Sequence, residues 1–132
     1  MRKKNSIAEF SGERSSLLLE NFRASLARQS QISAMKAFKD AADAPAPRFW
    51  VTEARATAVI KKMLSGIDLT ETMRDEKAGM YREIYNRVLK LREKEPDTPI
   101  GDLVFRVVNQ PAPSSYLKPY TVKKIIAKMR KI

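Results

Sequence analysis

The chain has 132 residues, 43% of them apolar and 31% charged, and a formal net charge of +11. It contains neither cysteine nor histidine. That excludes disulfides, thiolate metal sites, cysteine nucleophiles and any histidine-based acid–base or metal centre. The length suits one domain with an added arm, and no apolar run approaches the roughly 20 residues that span a bilayer.

Residues 1–12 read as a basic polar tail. Arg2, Lys3 and Lys4 carry its charge, Ser11-Gly12 breaks any early helix, and Ile7 and Phe10 are placed to staple it to the body. From Glu13 to about Lys39 the residues are good helix formers. Leu19, Phe22 and Leu26, then Ile32, Met35 and Phe38, recur at helical spacings, and the polar run Gln29-Ser30-Gln31 marks a break or bend. Residues 41–47, with Pro45 and Pro47, read as a linker and the boundary between an arm (1–47) and a basic helical domain (48–132).

Beyond the linker, Phe49 and Trp50 are expected to dock on the core. Thr52 is a natural N-cap for a helix with an Ala56, Val59, Ile60, Met63 and Leu64 stripe, ending at Ser65-Gly66. Asp68 and Glu71 resemble a capping pair for a helix over about 72–95, with Met80, Ile84, Val88 and Leu91 inward and Tyr81 and Tyr85 beside them. Glu83 and Arg87 form an i, i+4 pair on its solvent side, and Pro96 stops it. Thr98 as N-cap and Pro99 as first residue open a short helix bearing Ile100, Leu103, Val104, Val107 and Val108. After a proline-rich loop, the last helix starts near Pro119 with Val122, Ile125, Ile126 and Met129 inward. The expected fold is all-α: a compact helical bundle with a C-terminal helix-loop-helix and an N-terminal helical arm.

From Leu103 onward there is no acidic residue, whereas Arg106, Lys118, Lys123, Lys124, Lys128, Arg130 and Lys131 are basic. At 100° per residue, the face opposite the apolar stripe of the last helix carries Tyr120, Lys124, Ala127 and Lys131, flanked by Thr121 and Lys128. Lysines neutralise phosphates, and Tyr and Thr hydrogen-bond phosphate or stack on a base. Arg106, Ser114, Ser115 and Lys118 extend this surface, with Arg2, Lys3 and Lys4 as a second contact. The expectation is a non-enzymatic nucleic-acid-binding protein, cytoplasmic or packaged in a particle, with no cofactor, metal or membrane. The loop of about ten residues is too long for a helix-turn-helix motif, which uses three or four. The ridge also lacks the Arg, Asn and Gln that read base edges. The bland alternative is a lysine-rich helix that is merely well solvated.

A rival class is a structural, assembly or adaptor protein that oligomerises or binds a protein partner through residues 13–39, since a lone amphipathic helix cannot bury its own stripe. Another variant is an RNA-binding accessory subunit of a reverse transcriptase-type enzyme. From Phe49 onward the chain resembles small basic helical proteins of gut-bacterial genomes and their phages or mobile elements. The resemblance lies in Phe49-Trp50-Val51-Thr52-Glu53, Met80-Tyr81-Arg82-Glu83-Ile84-Tyr85, Val107-Val108-Asn109-Gln110-Pro111-Ala112-Pro113, Tyr116-Leu117 and Pro119. It implies a phage or mobile-element setting rather than a mechanism.

Overall fold

A computed structural model describes residues 6–129. Among them are six α-helices: α1 (Ser6–Arg28), α2 (Ala34–Asp43), α3 (Glu53–Leu64), α4 (Asp75–Lys94), α5 (Ile100–Val108) and α6 (Pro119–Met129). A short 3-10 turn, Leu69–Thr72, precedes α4. No helix of the described residues is long and apolar enough to cross a membrane. The all-α architecture expected from the 3.6-residue periodicity is present.

Several helix ends follow from local chemistry. Thr52 caps α3 by accepting the Arg55 N–H at 3.2 Å. At the other end Gly66 takes φ = 100°, a left-handed conformation open to glycine. The Gly66 N–H then reaches the Met63 carbonyl and the Ile67 N–H the Lys62 carbonyl, closing a Schellman turn. Ser33 caps α2 through the Lys36 N–H.

Other expectations are corrected. Ser11-Gly12 does not break α1, because Phe10, Arg14 and Leu17 on the same helix are held by tertiary burial that outweighs the cost of a helical glycine. Ala41, Ala42 and Asp43 are not linker but the last turn of α2, with Ala41 and Ala42 fully packed. Thr98 does not cap α5. Pro99 keeps an extended ψ of 144° and so takes the cap position itself, with helical backbone starting at Ile100, and the Thr98 hydroxyl donates to Glu95 instead. Asp68 caps the 3-10 turn rather than α4.

The buried residues form two clusters. The larger joins α3, α4 and α5 through Val59, Ile60, Ile84, Val88, Val104 and Val107, with Phe49, Trp50 and Val51 inserted from the preceding segment. The smaller joins Leu18 and Phe22 of α1, Ala37, Phe38, Ala41 and Ala42 of α2, and Val122 and Ile126 of α6. Phe22 and Phe38 stack with ring centroids 4.7 Å apart. The N-terminal arm therefore folds back and buries Leu18, Phe22 and Phe38. Ile32 and Met35, expected on the same stripe, are instead exposed at 76% and 57%, because Ile32 falls in the α1–α2 joint and Met35 on the outer face of α2. α5 and α6 are consecutive in sequence but serve different cores.

Two crossings bind the clusters together. Ala46 and Ala112 exchange both backbone hydrogen bonds in an antiparallel bridge, and the Phe49 and Ser115 N–H groups donate to Val108 and Ala42. Arg87, expected on the solvent side, is half-buried. It donates to Glu83 at 2.8 Å, to Gln110 at 3.1 Å and to the Pro111 carbonyl at 3.0 Å, and lies over the Phe49 ring. The proline-rich loop is thus clamped to α4.

At the α1–α2 joint the buried Ser25 hydroxyl donates to Asp40 at 2.6 Å, and Lys36 pairs with the same carboxylate. The Ser25 bond first, then Lys36, holds the Asp40 carboxyl below the ordinary aspartate range. Such a group contributes stability that is full above the unfolded value of about 3.9 and is lost as pH falls through the lower folded value. Asp40→Asn should therefore lower stability at pH 7, and the difference from wild type should close as pH drops below about 4, as read from urea denaturation at each pH.

Candidate nucleic-acid interface

α6 begins where the sequence permits. Pro119 has no N–H to lose in the first turn, and the Lys118 carbonyl accepts the first helical bond from Val122. Val122 and Ile126 are drawn into the second cluster, which fixes the helix rotation. The opposite face is thereby turned to solvent. Tyr120 is 63% exposed, and Lys123, Lys124, Ala127 and Lys128 are exposed along the same helix, with Thr121 half-buried at its flank. The Lys124 ammonium lies 5.5 Å from the Tyr120 ring centroid, a cation over an aromatic face. Among the described residues none of Lys118, Lys123, Lys124 and Lys128 is in an ion pair.

Arg106, Ser114 and Ser115 are not on this ridge. Arg106 on α5 donates to Glu95 at 2.6 Å. That hydrogen bond raises the guanidinium pKa and lowers the carboxyl's, so its charge is already matched. The Ser114 hydroxyl accepts the Tyr116 N–H at 2.9 Å and shapes the loop. Ser115 is only 4% exposed and faces inward. Arg2, Lys3, Lys4 and Lys131 lie outside the described residues.

Beside the ridge opens a cavity of about 920 Å³, to which Lys118 and Thr121 also belong. Its other walls bring Arg14 of α1, Arg55 of α3, and Arg74 and Lys77 at the start of α4 to one place. Sequence reading missed this group. Those residues are scattered from position 14 to position 77, and apart from Arg74 and Lys77 no local spacing relates them.

Comparison with protein-family models, curated proteins and solved structures finds no match. The chemistry of the chain's own residues must carry its functional reading.

Proposed function

We propose that this chain is a non-enzymatic nucleic-acid-binding protein that holds phosphates along the exposed face of α6. The observation that carries the reading is a row of lysines that pair with no carboxylate among the described residues, beside an exposed tyrosine on one helix. Each lysine placed against a phosphate displaces a condensed counterion, which favours association without demanding a base sequence. The absence of Arg, Asn and Gln from the ridge favours backbone contact over base-edge readout. The resemblance of residues 49–132 supports a phage or mobile-element setting. An assembly subunit acting through residues 13–39 would have to use the exposed Ile32 and Met35, since Leu18, Phe22 and Phe38 are covered within the chain.

The test is fluorescence anisotropy of labelled duplex DNA and structured RNA across a salt series. Lys124→Glu with Lys128→Glu should weaken binding to any sequence and reduce the slope of log K against log salt by about 2 on duplex DNA. Unchanged affinity and slope would remove α6 from the interface.

A further inference from the structure

The cavity beside α6 has features that the ridge does not explain. Three buried side-chain atoms among the described residues have no hydrogen-bond partner: Arg14 Nε, Trp50 Nε1 and Ser115 Oγ. All three residues line this cavity, and they are 7%, 6% and 4% exposed. Buried polar groups are ordinarily paired, so three exceptions on residues that line one cavity call for a common cause. Guanidinium and indole nitrogens can only donate, so the missing partner must present acceptors.

The charge of the walls specifies it further. Arg14, Arg55, Arg74, Lys77 and Lys118 face a single carboxylate, Glu76. Burial lowers the pKa of Arg14 by desolvation, a cost that a bound anion would offset. An excess of four positive groups suits a phosphate better than a single carboxylate. The rest of the lining is apolar and aromatic: Trp50, Val51, Met80, Tyr81, Tyr116 and Leu117. Tyr116 holds its backbone at φ = 54°, a left-handed conformation uncommon for a bulky residue, and its ring stacks on Phe49 at 6.1 Å. Such backbone persists where surrounding structure enforces it, and binding sites are common among those places. The volume lies within the range of about 300–1,000 Å³ typical of small-molecule sites.

We propose that this cavity binds a mononucleotide, its phosphate held by Arg14 Nε, Ser115 Oγ and the surrounding cations, and its base against the Trp50, Met80 and Tyr116 wall. The site does not depend on phosphate binding along α6. Lys118 and Thr121 border both, but Arg14, Trp50 and Ser115 belong to the cavity.

Trp50 is the sole tryptophan, so intrinsic fluorescence reports directly on the cavity. The full-length chain is titrated with AMP, with adenosine and inorganic phosphate as separate arms and calorimetry as a second readout. AMP should give a saturable change, and each half-ligand should bind at least about tenfold more weakly. Ser115→Ala should weaken AMP about three- to tenfold by loss of one hydrogen bond. Arg14→Gln should weaken it about tenfold or more. Should that variant fail to fold, the exposed pair Arg74→Gln and Lys77→Gln tests the same charge field. Lys124→Glu with Lys128→Glu should leave AMP affinity within about twofold, whatever it does to DNA binding. The proposal is overturned if AMP produces neither fluorescence change nor heat, if phosphate or adenosine alone binds as tightly as AMP, or if the cavity variants leave AMP affinity unchanged.

Discussion

Phe49→Ala is expected to lower the unfolding free energy by about 3–5 kcal/mol, the range for deleting a fully buried phenylalanine. Phe49 has no exposed surface and sits where the two connecting segments cross. Its ring contacts both the Tyr116 ring and the Arg87 guanidinium, and its N–H donates to Val108. Truncation leaves a cavity and removes the surface over which Arg87 is held while it binds Gln110 and Pro111. Set against a typical total of about 5–15 kcal/mol, this is a large fraction. Urea denaturation should show a lower midpoint with an unchanged slope. A loss under 1 kcal/mol would mean that the crossing relaxes to fill the gap.

Leu18→Ala should cost about 3–4 kcal/mol, with a more local signature. Leu18 is fully buried in the smaller cluster, against Phe22, Phe38, Val122 and Ile126. That cluster holds few large side chains, so removing one weakens the grip of α1 and α2 on α6 more than it weakens α3, α4 and α5. Hydrogen exchange should quicken in α1, α2 and α6 together, with the amides of α4 and α5 affected only through global opening. Ile126→Ala should reproduce the pattern from the opposite side of the contact. Equal acceleration in all six helices would show instead that the two clusters unfold as one unit. Because the same contact sets the rotation of α6, either variant should also loosen the lysine ridge.

Much of the helix inventory was legible from spacing. The stripes of α3, α4, α5 and α6 are buried as the periodicity implied, for example Val59 and Ile60, Ile84 and Val88, Val104 and Val107, Val122 and Ile126. These signals are strong because one helix face decides them locally. Boundaries were less legible where tertiary burial overrides local preference. Gly12 stays helical, and Ala41 and Ala42 extend α2 because both are packed beneath larger side chains. The ridge residues Tyr120, Lys124 and Lys128 were legible as the complement of the stripe. The roles of Arg106 and Ser115 were not, since an ion pair with Glu95 and burial beside α2 join residues distant in sequence.

The sequence by itself determined the fold class, the concentration of positive charge in the last 30 residues, and the absence of thiol and imidazole chemistry. Those properties depend on composition and on periods of three and four residues. Tertiary structure alone decided that Leu18, Phe22 and Phe38 of the N-terminal arm are buried against α6, that α5 and α6 belong to different cores, and that Arg14, Trp50 and Ser115 share one cavity. Each of these is a meeting of residues many positions apart. The bridge between Ala46 and Ala112 and the Arg87 clamp select the crossing that brings them together, and no local pattern encodes it.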